Sequence, residues 1–110
     1  MFSLIFFVKI LLFVSSRCSH CPGAERIVKE VVPEYSDYGV SFEKIRMKTG
    51  RGKRLSSEFN IMAVPTVLML DDGGNEAKRV VGAPTESSLR NEIEKNLGLR
   101  KSFFDRILGR

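Results

Sequence analysis

The sequence predicts an α/β domain. A mixed four-stranded sheet is covered by helices on both faces, in the order strand, helix, strand, helix, strand, strand, helix. Three observations predict it. Apolar runs rich in Val, Ile, Leu and Phe alternate with segments whose apolar residues recur every three to four positions. The last two apolar runs are separated by the turn "DDGGN". The first run ends just before "SSRCSHCPGAE", which holds both cysteines and the only histidine and opens a helix. Strands joined through helices are expected to be parallel, so the first three strands should be parallel and the last hairpin antiparallel.

At 110 residues the chain is one domain with room for a real core. We read residues 1–99 as that domain and 100–110 as a basic amphipathic tail. The 43% hydrophobic and 28% charged content is ordinary for a globular protein. A net charge of +5 is too mild to argue for nucleic-acid binding. The apolar stretch Phe2–Val14 is short of the roughly 20 residues a bilayer span needs, and Lys9 interrupts it. It reads as a buried strand, with a membrane-anchored variant as the alternative. The cytoplasm and a monomer are the expected setting.

The elements follow in order. After the first strand, Ala24, Ile27, Val28, Val31 and Val32 keep helical spacing. That helix begins around Ser19–Pro22, where a first-turn proline costs no hydrogen bond, and ends near Pro33. "VSFEKIRM" is a strand whose alternation slips between Phe42 and Ile45, which suggests a bulge. "KTGRGKR" reads as a basic loop, and Leu55 with Phe59 as a short helix after it. "IMAVPTVLML" is a strand with a proline near its start, and "AKRVV" is its hairpin partner, ending at Gly82. Thr85 can cap a last helix with Leu89, Ile93 and Leu97 on one face.

Cys18 and Cys21 admit three readings: half a zinc site, a staple or a redox pair. Structural zinc takes four ligands, and His20 between the cysteines is poorly placed to be a third. A disulfide enclosing so short a loop removes little unfolded-state entropy and staples poorly. A Cys-x-x-Cys between a strand and a helix points instead to redox chemistry.

Three segments then carry a resemblance: "CSHC" at 18–21, "IMAVPT" at 61–66 and "VGAPTESSLRNEI" at 81–93. In that order and spacing the chain resembles the thioredoxin/glutaredoxin superfamily, and most of all the small archaeal-type, glutaredoxin-sized thioredoxins. The resemblance covers about residues 7–97. It implies the thioredoxin fold and a thiol–disulfide oxidoreductase working through Cys-Ser-His-Cys. Cys18 matches the attacking cysteine and Cys21 the resolving one. Pro65 matches a cis-proline that turns the Val64 backbone toward a substrate strand, and Gly82 matches the glycine that leaves room for that strand. No metal and no cofactor beyond the Cys18–Cys21 disulfide are implied. The partners implied are protein disulfide or dithiol substrates and a thioredoxin-reductase-type donor.

The sequence departs from the family's pattern at four places. Arg17 stands where thioredoxins carry Trp, Ser19-His20 where they carry Gly-Pro, and Leu12 where they bury an acid. Gly82-Ala83-Pro84 replaces the glutathione-binding turn of glutaredoxins. A helix start, Arg17 and a charged or hydrogen-bonding His20 all favour a thiolate at Cys18, which makes the disulfide a better oxidant. Lys44, Arg46, Lys48, Arg51, Lys53 and Arg54 are expected to ring the site and steer acidic partners. Two rival readings stand beside the protein oxidoreductase. One is a glutathione-dependent, glutaredoxin-like reductase; the other is a non-catalytic binding or redox-sensing module.

Overall fold

A computed structural model describes residues 8–98. The start of the apolar run and the tail at 100–110 lie outside the described residues. Strand β1 (Val8–Val14) leads to helix α1 (Cys21–Val31), which continues as a 3₁₀ stretch over Val32–Tyr38. Strand β2 (Val40–Arg46), helix α2 (Gly50–Glu58), strands β3 (Thr66–Leu70) and β4 (Glu76–Val81), and helix α3 (Glu86–Leu97) complete the domain. The sheet order is β2-β1-β3-β4.

β1 lies inside the sheet and is apolar on both faces, as a central strand covered twice must be. Val8, Ile10, Leu12 and Val14 face one core with Ala24, Val28 and Val31 of α1 and Leu89 and Ile93 of α3. Leu11 and Phe13 face the other, with Ile45, Ile61 and Leu68, and Leu55 and Phe59 pack against it. Helices therefore cover both faces, two on one side and α2 on the other.

The expected direction of β3 is corrected. β1 and β2 are parallel, but β3 runs antiparallel to β1, with Thr66 opposite Phe13 and Leu70 opposite Lys9. α2 and the segment 59–65 together bring the chain to β3 beside the carboxyl end of β1, where Thr66 stands opposite Phe13. The chain leaves β2 and re-enters β3 at the same sheet end, so β3 must run away from it. The loop expected over "KTGRGKR" is corrected too. α2 begins at Gly50, inside that segment, because the Thr49 hydroxyl accepts the Gly52 N–H and caps the helix. A β-carbon on Gly52 would collide with the Arg46 carbonyl, so this close turn requires glycine.

β2 has no bulge against β1; its register is unbroken from Val40 to Arg46. Phe42 and Ile45 simply face opposite cores, an arrangement the apparent phase slip conceals. The irregularity falls in β3 against β4 instead, between Met69 and Leu70. β3 also starts later than "IMAVPTVLML" suggests, at Thr66, because Pro65 has no N–H to offer a ladder. α3 is as expected. Thr85 and Ser88 form a reciprocal cap, and Leu89, Ile93 and Leu97 are buried.

Candidate active site

The carboxyl ends of β1 and β2 and the start of α1 meet at one end of the sheet. His20 is the residue before α1, and its carbonyl accepts the Ala24 N–H at 3.1 Å. No side chain caps this start, so the positive end of the helix is available to an anion beside it. Cys18 precedes the helix rather than riding on it, so the pair is not held by helical spacing. The turn Ser19–His20 brings the pair together. The Cys21 N–H donates to the Cys18 carbonyl at 3.4 Å, the two Cα atoms are 5.4 Å apart, and the sulfurs are joined as a disulfide. The members differ in access. Cys18 is half-buried, whereas Cys21 is only 4% exposed and belongs to the helix-side core.

Beside the disulfide, on its β2 side, lies a cleft of about 400 Å³. Cys18, Cys21, Pro22 and Glu25 form one wall, Lys44, Arg46, Met47 and Lys48 the other, and Val14, Ser15 and Ser16 the floor between them. The Glu25 carboxylate accepts from Lys29 Nζ at 3.0 Å and from Lys44 Nζ at 3.1 Å. Those two ammonium groups hold it below the usual carboxylate range despite its partial burial. Arg46 and Lys48 form no ion pair among the described residues.

The expected ring of six cations is thus only half realised at the cleft. Arg51 turns to the other face of β2 and grips Glu43 with two hydrogen bonds of 2.9 Å. Lys53 and Arg54 ride on α2 and do not line the cleft. Arg17 and His20 are exposed on either side of Cys18, and neither lines the cleft.

Across β1, on the β3 side, the Val64–Pro65 peptide bond is cis. The Thr66 hydroxyl donates to the Ala63 carbonyl at 2.7 Å, and the Pro65 carbonyl accepts the Gly82 N–H at 2.8 Å. Those bonds fix the loop at the sheet end that carries Cys18, since Thr66 stands opposite Phe13. Cys18 and Val64 pack against the same core. Gly82 has φ +97°, and a β-carbon there would meet nothing within 4 Å. Met62 and Val81 stand 90% and 63% exposed near this loop.

Among the described residues no group of three His, Cys, Asp or Glu side chains is placed to hold a metal ion. No helix among them is long and apolar enough to cross a membrane. Sequence reasoning missed Glu25. Its signal was present, because a residue four after Cys21 lies on the same face of α1.

Comparison with known proteins extends these observations. The thioredoxin family model matches residues 8–95. The thioredoxin of Methanocaldococcus jannaschii is 41% identical over 90 residues, spanning 82% of this chain and 96% of that protein. The probable thioredoxin of Archaeoglobus fulgidus is 32% identical over 91 residues, spanning 83% and 91%. A solved structure of malaria-parasite thioredoxin-2 shares the fold at a TM-score of 0.71, with 18% identity over 82% of this chain and 84% of that one. The family model and the archaeal relatives, together with the Cys18–Cys21 disulfide of this chain, place it: the chain belongs to the thioredoxin family and is a thiol–disulfide oxidoreductase.

Proposed function

We propose that the chain exchanges disulfides with protein substrates, with Cys18 as the attacking and Cys21 as the resolving sulfur. The observation that carries this reading is the difference in access: a substrate can reach half-buried Cys18, while Cys21 is shielded behind it. In the reduced protein a Cys18 thiolate attacks a substrate disulfide in line and forms a mixed disulfide. Cys21 then displaces the substrate thiolate and closes the ring. Val64, Pro65 and Gly82 receive the substrate strand on the β3 side. Arg17 and His20 flank Cys18 and favour its thiolate, and Lys44, Arg46 and Lys48 draw acidic partners toward the β2 side. A thioredoxin-reductase-type donor fits better than glutathione, because Gly82-Ala83-Pro84 lacks the glutathione turn. The cytoplasm and a monomeric state go with this reading.

The test is covalent capture. Cys21→Ser should accumulate a mixed disulfide through Cys18 during insulin reduction, and Cys18→Ser should be inactive and trap nothing. Capture through Cys21 instead reverses the assignment. The same residues predict a disulfide more oxidising than thioredoxin's roughly −270 mV. A glutathione redox titration giving that value or a lower one removes this part of the proposal.

A further inference from the structure

The resolving step has a chemical requirement that the cysteines do not meet alone. Cys21 must lose a proton before it can attack, and its 4% exposure works against the thiolate, since burial disfavours the charged form. A base is therefore needed on the wall of the cleft. The groups that face this space are few. Cys18, Cys21 and Glu25 come from the α1 side, Lys44 and Arg46 from β2, and Lys48 from the loop after it. Lys29, one turn further along α1, reaches Glu25 from outside the lining. The lysines and the arginine are cations with no proton site to fill, and Ser15, Ser16 and Thr49 are poor bases. Glu25 is the one carboxylate among the described lining residues.

Its placement suits the task, and the ion pairs that lower its pKa keep it ionised and able to accept a proton, at some loss of base strength. Glu25 follows Cys21 by four residues on α1, so the two share a face about 5–6 Å apart at Cβ. Long side chains on a helix lean toward its N-terminus, the direction in which Cys21 lies, and both residues line the same cleft. Lys44, from a different strand, pins it in the cleft at 3.1 Å, and it is only 21% exposed.

We infer that Glu25 is the proton acceptor for Cys21 in the resolving step, held in place by Lys44. The inference rests on the oxidoreductase reading with Cys21 as resolver. Cys18 has already attacked a substrate disulfide and released one thiolate, leaving a Cys18–substrate mixed disulfide. The Cys21 S–H proton passes to the Glu25 carboxylate, directly or through one water. The Cys21 sulfur attacks Cys18 Sγ, the Cys18–substrate bond breaks, and the second thiolate leaves. The proton then goes to that thiolate or to water. Two electrons have moved from the protein dithiol to the substrate disulfide.

The sign of one substitution separates this role from simple electrostatics. As a mere negative charge, Glu25 hinders the Cys21 thiolate, and Glu25→Gln should speed resolution. As a proton acceptor it helps, and Glu25→Gln should slow it. The experiment mixes reduced protein with dithiobis-nitrobenzoate, which releases one coloured thiolate when Cys18 attacks and a second when Cys21 closes the ring. We expect Glu25→Gln to lower the ratio of second to first release rates about tenfold or more near neutral pH, the lower range of general-base effects. The deficit should close at alkaline pH, where the thiol ionises unaided. Lys44→Gln keeps the carboxylate and should keep the acid-side limb of the second phase that Glu25→Gln loses. A second release unchanged or faster in Glu25→Gln overturns the assignment. So does a first release slowed as much as the second in Glu25→Gln, since the residue would then act on the site as a whole and not on Cys21. If the wild-type protein shows no second release while still reducing insulin, Cys21 is not the resolver and both readings fall. If it reduces nothing, the oxidoreductase reading fails by itself.

Discussion

Replacing Gly82 by Ala and by Leu separates backbone strain from bulk at the proposed substrate edge. Gly82 has φ +97°, so any L side chain is strained there, at about 1–2 kcal/mol. A β-carbon would meet nothing within 4 Å, so neither variant clashes with the described domain at that first atom. Both should therefore lose similar stability, about 1–2 kcal/mol in urea unfolding. What lies in the open space differs: we expect a substrate strand pairing with the Val64 backbone. A leucine side chain projecting there costs that strand one or two backbone hydrogen bonds, about 1–3 kcal/mol in all. At 1.4 kcal/mol per tenfold, this is roughly a 5- to 150-fold loss in kcat/KM for Gly82→Leu relative to Gly82→Ala. The assay pairs insulin reduction with reduction of hydroxyethyl disulfide, a substrate too small to use the edge. The loss should be large for insulin and slight for the small disulfide. Equal losses with both substrates would refute the reasoning, because Gly82 would then act by distorting the disulfide itself.

Other expectations follow from the same structure. Phe13 is fully buried against Ile45, Ile61 and Leu68, so Phe13→Ala should destabilise by about 3–5 kcal/mol, read as a lower urea midpoint. Arg46→Gln with Lys48→Gln should flatten the salt dependence of exchange with an acidic peptide disulfide; a slope matching wild type would remove these two cations from the steering role. The Tyr35 hydroxyl donates to Glu94 at 2.5 Å, and burial, then that bond, push its pKa upward. A folded pKa above the unfolded value of about 10 means this contribution is complete below that pH and lost as pH rises beyond it. Tyr35→Phe should therefore lose stability near neutrality and show a shallower alkaline decline in urea midpoints measured across pH.

The sequence made some of this legible for identifiable reasons. α1 and α3 declare themselves because a helix packed on one side must repeat its apolar residues at helical spacing, and Thr85 is a cap before such a run. The redox pair was legible because Cys18 and Cys21 are the only cysteines and sit at a strand–helix junction. The direction of β3 was not, because it depends on where α2 delivers the chain in space, and the apolar pattern of Thr66–Leu70 is the same in either direction. Nor was the division of the basic residues. Arg51 and Lys48 read alike in sequence, yet Thr49 caps α2 between them. Lys48 is left at the cleft and Arg51 turns to Glu43.

Glu25 was hidden for a further reason: its meaning depends on Leu12. Thioredoxins bury an acid in the strand before the cysteines, and this chain has a leucine there with no exposed surface, packed in the helix-side core. A carboxylate inside that core would cost several kcal/mol in desolvation, and its ionised form would need a partner deep in the sheet. Glu25 instead sits on the rim, 21% exposed, within reach of Lys29 and Lys44. There it keeps part of its hydration and its charge while still facing the space beside Cys21. β1 is then apolar along that face, from Val8 through Ile10 and Leu12 to Val14. An acid on the helix instead of the strand lets the chain keep an apolar central strand together with a charged group in the cleft beside Cys21. Glu25 and Leu12 are two sides of one arrangement: with Leu12 in place, removing the Glu25 carboxylate leaves no other described carboxylate in the cleft to take its part.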